Sequence, residues 1–200
     1  MPTHARHGLR AHATFFFQFL TKPGMVGAVA PSSSYLAAEM LRTIDLGPKA
    51  RIAEYGPGTG AFTQAILARI DPAATFFAVE RNEALAEQLR ARFPKLHLHT
   101  GSVEDIEAFC RAEGVGELDA IVSGLPWASF PQSLQTRILD ATMKVLRPGG
   151  QLVTFAYHTG LLMPAGRRFQ RLLPRYFSKI TRGRSVCRNT PPAFTIRCTR

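Results

Sequence analysis

The stretch EYGPGTG, residues 54–60, carries a glycine at every second position and directly follows a short apolar segment, ARIAEY, residues 50–55. The apolar segment predicts a buried strand, and the glycines predict a tight turn into the helix AFTQAILARI, residues 61–70. Because glycine has no Cβ, the backbone of such a turn can approach a bound ligand closely. The stretch therefore predicts a strand–turn–helix unit with a ligand at the turn.

The alternation of strand and helix continues through the chain. Further strands are predicted for ATFFAVE (74–80), KLHLHTG (95–101), LDAIVSG (118–124) and QLVTFAY (151–157). The helices between them are NEALAEQLRARF (82–93), IEAFCRAEG (106–114) and PQSLQTRILDATMKVLRPGG (131–150). FSKITRGRSVCR (177–188) and FTIRCTR (194–200) predict a terminal hairpin around a Pro-containing loop. This order predicts an α/β fold with a parallel sheet, in which ligands bind beyond the carboxyl ends of the strands.

The glycine spacing identifies a class of cofactor. G-x-G-x-G differs from the dinucleotide fingerprint G-x-G-x-x-G and, with Glu54 before it, resembles motif I of class I S-adenosylmethionine-dependent methyltransferases. The resemblance implies that Glu54 lies near the ammonium and sulfonium of the cofactor, and that Glu80, at the end of the second strand, accepts both ribose hydroxyls. A tight turn without a ligand is the alternative. The predicted cofactor-binding residues are Glu54, Gly56, Gly58, Gly60, Glu80, Arg81, Ser102, Val103, Ser123 and Leu125, and either Glu104 or Asp105 is an alternative to Ser102.

Positive charge is concentrated in the last part of the chain. The formal net charge is +11, and residues 141–200 contain 12 Lys and Arg but no Asp or Glu. Such a section favours a polyanionic partner, either nucleic acid or an anionic membrane surface, and a solvated face that serves only solubility is the alternative. The 3 cysteines have no metal-like spacing, so we expect reduced thiols in a cytoplasmic protein and no metal.

The N-terminal stretch RHGLRAHATFFFQFLTKPG, residues 6–24, is amphipathic at helical spacing. Its aromatic side and flanking cations predict a membrane-association helix within residues 1–24, ahead of one methyltransferase domain at residues 25–200. A helix that packs on the domain's own core is the alternative. Gln18, Lys22 and Pro23 interrupt the apolar run and argue against a signal peptide, and no run approaches the roughly 18 residues of a spanning helix.

The stretch SGLPW, residues 123–127, follows the predicted fourth strand, where amino-methylating enzymes hold the amine. Nucleobase methylases carry Asn or Asp where this chain has Gly124, because an exocyclic amine has a weakly basic lone pair and needs an acceptor. An aliphatic amine has a localised lone pair, and its methylated cationic forms are stabilised by an aromatic face. Gly124 with Trp127 therefore favours an aliphatic amine, with a simple core role for Trp127 as the alternative.

Four stretches together resemble the bacterial phospholipid N-methyltransferase family, which is similar in fold to the rRNA adenine dimethylases. They are GAVAPSSSYLA (27–37), EYGPGTG, SGLPW and VCRNTPPAFTIRC (186–198), and the resemblance covers about residues 15–200. It implies a Rossmann-like class I methyltransferase fold with a seven-stranded, mostly parallel sheet and an antiparallel last strand. It also implies stepwise N-methylation of phosphatidylethanolamine towards phosphatidylcholine, with S-adenosylmethionine as cofactor and S-adenosylhomocysteine as product. The expected location is the inner face of the cytoplasmic membrane, bound peripherally through anionic lipid, with no obligate protein partner.

Strand ends supply the other candidates. The predicted catalytic residues are Tyr35, Trp127, Tyr157 and His158, among which His158, Tyr157 or Tyr35 would accept the proton of the lipid ammonium. The predicted substrate-binding residues are Ser32, Ser33, Arg184, Arg188 and Asn189. Two other functions stay open: an rRNA or other nucleic-acid adenine N-methyltransferase, and a non-catalytic protein that binds membranes. We expect no nucleic-acid partner, since the amphipathic start favours lipid and a helical RNA-binding domain is lacking.

Overall fold

The computed structural model describes residues 33–200 of the protein. In this part of the chain the strands are β1 (Arg51–Tyr55), β2 (Thr75–Glu80), β3 (His97–Thr100), β4 (Leu118–Ser123), β5 (Leu146–Tyr157), β6 (Lys179–Val186) and β7 (Ala193–Thr199). The α-helices are α1 (Ser34–Leu41), α2 (Ala61–Leu67), α3 (Glu83–Arg92), α4 (Ile106–Ala112), α5 (Gln132–Val145) and α6 (Pro164–Leu172). The predicted helix within residues 1–24 and the candidate Ser32 lie outside the described residues.

One sheet of seven strands has the order β3-β2-β1-β4-β5-β7-β6. The pairs from β3 to β5 are parallel, and β7 runs antiparallel to both β5 and β6. The predicted fold, including the antiparallel last strand, is therefore confirmed. Because the chain leaves β1 towards β2 and later returns to β4 on its other side, the direction of winding switches between β1 and β4, which is where such sheets bind ligands.

Apolar side chains cover both faces of the sheet. Along β4, Ile121 packs in the cluster under α4, α5 and α6, whereas the next residue, Val122, packs in the cluster under α1 and α2. This alternation follows from the period of two in a strand. Both side chains are fully buried, and burial of a side chain of this size contributes roughly 1.5–3 kcal/mol. Because apolar side chains fill both faces of the sheet, polar site residues are expected in the loops at the strand ends.

Helix α1 was not predicted from the sequence. Ser33 caps it by accepting a hydrogen bond from the Leu36 N–H at 3.3 Å. Farther along, Glu39 forms an ion pair with Arg197 of β7, in which Nη2 lies 2.6 Å from Oε1, and both side chains are largely buried. Burial alone would raise the pKa of Glu39, but the hydrogen bond and charge of Arg197 outweigh it and lower that pKa. The pair therefore ties α1 to the C-terminal hairpin.

The amino edge of the sheet is held by Asp119. Its carboxylate accepts hydrogen bonds from Arg51 Nε at 3.0 Å and from Arg147 Nε at 2.5 Å. Burial of the carboxyl opposes its ionisation, yet the arginine hydrogen bonds outweigh burial and lower the pKa of Asp119 to about 2. Ion pairs thus close this edge, and the loops of the opposite, carboxyl edge carry the predicted site.

Helix α6 also escaped sequence prediction, because its segment holds three arginines among few apolar residues. It begins with Pro164, and its Phe169 and Leu172 are buried against the sheet.

The three cysteines of the chain form no disulfide: Cys110 and Cys198 are buried and Cys187 is exposed. Within residues 33–200, no helix has the length and apolar character needed to cross a bilayer.

Candidate active site

The carboxyl ends of the parallel strands bring most of the candidate residues to one edge. The register pairs Tyr55 with Val79 of β2 and with Ser123 of β4, and pairs Ser123 with Thr154 of β5. The loops that follow β1, β2, β4 and β5 therefore lie side by side. At the same edge, Ala193 at the start of β7 pairs with Tyr157 at the end of β5, which adds the loop between β6 and β7.

The glycine turn after β1 adopts backbone conformations that favour glycine. Gly56, Gly58 and Gly60 have positive φ values of 64°, 57° and 84°. At Gly60 a Cβ would also lie 2.6 Å from the Phe93 ring, so both conformation and space require glycine there. The Gly56 N–H donates to the Val79 carbonyl at 2.9 Å, which attaches the turn to β2.

Glu54, directly before the turn, is a fully buried carboxyl. Its Oε2 accepts a hydrogen bond from Thr63 Oγ1 at 2.7 Å, while its Oε1 is buried and has no partner among the described residues. Burial raises the pKa of Glu54 to about 8. A buried carboxyl oxygen without a donor is costly, and a cation placed against it removes that cost. Glu54 therefore fits the ammonium group of S-adenosylmethionine.

Glu80 joins the end of β2 to the glycine turn. Its Oε2 accepts from the Gly58 N–H at 3.1 Å, and its Oε1 accepts from the Asn82 N–H at 2.9 Å. Each carboxylate oxygen can accept a second hydrogen bond, so the group fits the two hydroxyls of a ribose. Arg81, the next residue, is exposed. The residues at this edge thus fit the predicted cofactor at both its cationic and its ribose end.

The turn after β3 lies beside Glu80, whose carbonyl accepts the Gly101 N–H at 3.0 Å. Ser102 caps this turn by accepting the Glu104 N–H at 3.2 Å, and Val103 is buried. The Glu104 carboxylate is engaged by Arg137, whose Nε lies 2.5 Å away. Ser102 and Val103 are therefore placed next to Glu80, while Glu104 is already paired.

The SGLPW loop after β4 is held by its own first residue. The buried Ser123 Oγ accepts from Trp127 Nε1 at 3.2 Å and from the Leu125 N–H at 3.4 Å. Trp127 is 3% exposed and stacks on Phe169 with ring centroids 4.3 Å apart. This corrects the prediction of an open aromatic face: in the structure Trp127 is a core residue. The Ser123 hydroxyl likewise accepts the two hydrogen bonds that hold the loop.

Gly124 has a steric reason to lack a side chain. Its N–H donates to the Tyr55 carbonyl at 2.8 Å, and a Cβ would lie 2.5 Å from the Gly56 carbonyl oxygen. Leu125 covers the same turn, because its Cδ2 lies 2.9 Å from the position of a Cβ on Gly56. An Asn or Asp at 124 would therefore push the loop away from the glycine turn. Glycine at this position thus has a steric reason in addition to the predicted chemical one.

Tyr35 and Arg188, 153 residues apart in sequence, form one exposed group. Arg188 Nη1 donates to Tyr35 Oη at 2.8 Å, and the guanidinium carbon lies 4.8 Å from the Tyr35 ring centroid. The structure thus brings together a predicted catalytic residue and a predicted substrate-binding residue. A guanidinium with further N–H groups next to a phenol is suited to hold a phosphate or a carboxylate.

Ser33 and Asn189 lie beside this pair and connect α1 to the β6–β7 loop. The Ser33 N–H donates to Asn189 Oδ1 at 2.9 Å, and Asn189 Nδ2 donates to the Pro191 carbonyl at 2.7 Å. Asn189 is 2% exposed. Because the side chain is buried and both amide atoms have partners within the protein, the structure disfavours the predicted contact of Asn189 with the substrate. Ser33 and Asn189 instead position Tyr35 and Arg188.

Tyr157 ends β5, and His158 begins the short 3-10 helix that follows it. Burial raises the pKa of Tyr157, whose ring packs edge-on to Phe155 at 5.4 Å. His158 Nε2 lies 3.1 Å from Ser185 Oγ, and its Nδ1 lies 3.4 Å from Arg182 Nη2. Because arginine can only donate, Nδ1 accepts and Nε2 carries the proton. This arrangement disfavours His158 as the proton acceptor.

The remaining substrate candidate, Arg184, is exposed on β6.

Two buried polar residues of the site were missed by the sequence analysis. Gln135 of α5 donates through Nε2 to the carbonyls of Trp127 at 2.7 Å, Ala165 at 3.1 Å and Phe130 at 3.3 Å. Thr63 of α2 is the hydrogen-bond donor to Glu54. The available signal was a polar residue on the apolar side of a helix, since Gln135 lies three residues before the buried Ile138.

The amino edge of the domain carries a separate cleft. It is lined by Glu107, Cys110, Arg111, Val115, Gly116, Lys144 and Val145 and contains no predicted site residue. Among residues 33–200, no cluster of three or more His, Cys, Asp or Glu side chains is arranged to hold a metal ion.

The sequence pattern of the family described as "Methyltransferase domain" matches residues 52–150. The ornithine lipid N-methyltransferase of Singulisphaera acidiphila is 32% identical over 190 residues, which cover 92% of this chain and 95% of the relative. A match of this length includes α1 as well as the cofactor half.

Solved methyltransferase structures have the same fold as this chain. An O-methyltransferase from Bacillus cereus in complex with SAH superposes with a TM-score of 0.66 and 14% identity, covering 100% of this chain and 93% of that one. A TehB-like SAM-dependent methyltransferase from Corynebacterium glutamicum gives a TM-score of 0.65 and 14% identity, covering 96% and 99%. At these identities the likeness establishes the fold.

Proposed function

The chain belongs to the S-adenosylmethionine-dependent methyltransferases, and from this premise we propose that it N-methylates the primary amine of a membrane lipid, with phosphatidylethanolamine as the substrate. The observation that carries the proposal is the contact between Gly124 and Gly56. Because the Gly56 carbonyl occupies the space of a Cβ at 124, no side-chain acceptor can face the amine from this position. An aliphatic amine, whose lone pair is already localised, needs none.

The identity to a relative named for ornithine lipid supports a lipid substrate and offers a second one. Ornithine and phosphoethanolamine both combine a primary aliphatic amine with an anionic group, a carboxylate in one and a phosphate in the other. The shared chemistry requires one site for the amine and one for the anion. Tyr35 and Arg188 supply the second, and we place the phosphate of phosphatidylethanolamine there.

The residues of the chain have three tasks in this reaction. Bound S-adenosylmethionine supplies an electrophilic methyl group on a sulfonium. Glu54 holds the cofactor's ammonium, and Glu80 holds its ribose hydroxyls, so that the cofactor has one orientation. The loop of residues 123–127 covers the glycine turn and restricts water at the reacting edge. By holding the methyl donor and the amine in one orientation, these residues would contribute to the rate through positioning.

The lipid ammonium must lose a proton before it can attack. Tyr157 stays a neutral phenol at physiological pH because burial raises its pKa, and the Nδ1 of His158 accepts from Arg182. Tyr35, which is 51% exposed and hydrogen-bonded to Arg188, is at the substrate side of the edge. We therefore assign the transfer to water that contacts Tyr35, with the substrate anion held by Arg188.

A lipid substrate requires that the protein works at a membrane surface. The basic section of residues 141–200 and the amphipathic sequence of residues 6–24 support peripheral binding to anionic lipid. We propose the inner face of the cytoplasmic membrane as the location, with no obligate protein partner.

The test offers labelled S-adenosylmethionine with three acceptors: phosphatidylethanolamine vesicles, ornithine-lipid vesicles and rRNA. We expect label in the phosphatidylethanolamine, as monomethyl and then more highly methylated forms. Label in ornithine lipid alone would keep the lipid-amine reaction and change the substrate. Label in rRNA and in neither lipid would overturn the proposal in favour of a nucleic-acid methyltransferase.

A further inference from the structure

Two large apolar side chains project from the carboxyl edge into solvent. Leu162 is 72% exposed and Met163 is 46% exposed, and Pro164 beside them is also exposed. Leu162 ends the short 3-10 helix His158–Leu162, Met163 joins this helix to α6, and Pro164 begins α6. We call Leu162, Met163 and Pro164 the apolar tip. Such a contiguous exposed apolar group on a charged protein marks a contact surface.

Hydrogen bonds and a close helix contact hold the backbone of the tip. The Met163 N–H donates to the Gly160 carbonyl at 3.2 Å, and Arg167 Nε donates to the Leu161 carbonyl at 2.8 Å. A Cβ on Gly166 would clash with the Gly160 carbonyl oxygen, which shows how closely α6 approaches the preceding 3-10 helix. The backbone is pinned from both sides while the apolar side chains point outward.

Positive charge continues from the tip along one side of α6. Met163, Arg167 and Arg171 follow at intervals of four residues, so they share one face of the helix. Arg167, Arg171 and Arg175 are exposed, and residues 141–200 contain no acidic residue to pair with them. An apolar end with adjoining cations complements a bilayer that has an apolar interior and an anionic headgroup layer.

The tip also adjoins the loop that the reaction uses. Gly160 lies against Ala128, with a Cβ position 3.6 Å from the Ala128 Cβ, and Phe169 of α6 stacks on Trp127. A membrane in contact with the tip would thus face the same edge as the cofactor turn and the Tyr35–Arg188 pair.

We propose that the apolar tip enters the headgroup region of an anionic bilayer, with Arg167 and Arg171 at the phosphate level, and so orients the carboxyl edge of the sheet towards the membrane. This inference rests on the proposed lipid-amine function. It adds which surface contacts the membrane and how the sheet is oriented there. It is independent of residues 1–24, whose amphipathic sequence would supply a second attachment.

The chain offers a matched control at the opposite edge. Leu67, at the C-terminal end of α2, is 38% exposed and lies at the amino edge of the sheet, because α2 starts from the carboxyl end of β1. A bilayer that contacts the tip cannot reach Leu67. The same substitution at Leu67 therefore tests the effect of losing an exposed leucine without losing the tip.

The first experiment measures binding of the full chain to vesicles of phosphatidylcholine with and without phosphatidylglycerol. We expect the double variant Leu162→Asp/Met163→Asp to bind anionic vesicles at least about tenfold more weakly than wild type, and Leu67→Asp to bind like wild type. Unchanged melting temperatures show that both variants are folded. Wild-type binding by the folded double variant would overturn the proposal, as would an equal loss in Leu67→Asp.

The second experiment locates the tip directly. Leu162→Trp and Leu67→Trp are compared on vesicles that contain brominated acyl chains, with the buried Trp127 as a constant background. We expect quenching only for Leu162→Trp, and its absence there would contradict insertion.

Methylation of a short-chain, water-soluble ethanolamine phospholipid separates this inference from the proposed function. The double variant should methylate that substrate at the wild-type rate while losing activity on vesicles. If no lipid amine is ever methylated but the tip still inserts, the proposed function fails and the docking surface stands. If the soluble lipid is methylated and vesicle binding ignores the tip, the docking surface alone fails.

Discussion

The carbonyl oxygen of Gly56 lies 2.5 Å from the point where a Cβ on Gly124 would stand. The glycine turn and the SGLPW loop are therefore in direct backbone contact. Replacing Gly124 by Ala should destabilise the protein by about 1–3 kcal/mol and weaken cofactor binding, because the loop must move away from the turn. Chemical denaturation and calorimetry measure the two effects.

Gly116 provides the control for this change. A Cβ there meets nothing within 4 Å, so Gly116→Ala should alter stability by no more than about 0.5 kcal/mol and leave cofactor binding intact. Equal behaviour of the two alanine variants would show that the contact between the loops is not tight.

Glu54 should make the protein release a proton when S-adenosylmethionine binds. With a pKa of about 8, the buried carboxyl is protonated at pH 7 in the free protein, and the cofactor's ammonium favours its ionised form. Calorimetry at pH 7 in buffers of different ionisation enthalpy should give a release approaching one proton. Glu54→Gln should abolish this release, and a wild-type release in that variant would assign the proton to another group.

The same carboxyl predicts a pH dependence of stability. Its folded pKa is raised from 4.5 to about 8, so between these values the folded state holds a proton that the unfolded chain has lost. The free energy of unfolding of the cofactor-free protein should therefore fall as pH rises through this window, by up to about 1.4 kcal/mol per unit. Glu54→Gln should flatten the dependence, and an unchanged slope in urea titrations would contradict it.

Glu80 should contribute to cofactor affinity in two ways. Glu80→Ala removes a charged acceptor for the ribose hydroxyls and also frees the Gly58 and Asn82 N–H groups, so binding should weaken by about 1–3 kcal/mol. Unchanged affinity of the folded variant in calorimetry would remove Glu80 from the site.

Gln135 should act as a positioning residue for the SGLPW loop. Gln135→Met keeps the volume but removes the three hydrogen bonds to Trp127, Phe130 and Ala165, so kcat should fall about tenfold with little change in cofactor affinity. Thr142→Val, at a buried polar residue of the same helix, is the control for stability alone. A loss of kcat that matches the control would reduce Gln135 to a structural role.

Arg188 should determine the affinity for the lipid. Arg188→Ala is expected to raise KM for the short-chain lipid about tenfold while leaving the Kd of S-adenosylmethionine unchanged. Lys179→Ala removes an exposed cation from the other end of the same hairpin and should leave KM unaltered. A common effect of both variants would indicate general electrostatic attraction in place of a specific contact.

The cofactor half of the site could be predicted from sequence because its signals are local. The turn of residues 56–60 follows its strand directly, and Glu80 ends the next strand. The substrate half depends on distant contacts: Ser33 and Asn189 were expected to bind the ligand, yet the Ser33 backbone N–H donates to the Asn189 side chain across 156 residues. Local periodicity cannot reveal such a pair. Trp127 was misassigned for a similar reason, because the ring that covers it, Phe169, lies in a helix that the sequence did not indicate.

This difference in sequence separation predicts the order in which parts of the protein unfold. Glu54, Glu80 and Gly124 lie within one continuous part of the chain, whereas Tyr35 and Arg188 are 153 residues apart. Closing long loops costs more chain entropy, so such contacts form late in folding and open early. The first step of unfolding should therefore detach α1, with faster amide hydrogen exchange at Leu36 than at Gly56. A molecule in that state would still retain its cofactor turn but would have lost the Tyr35–Arg188 contact that we propose for the lipid headgroup.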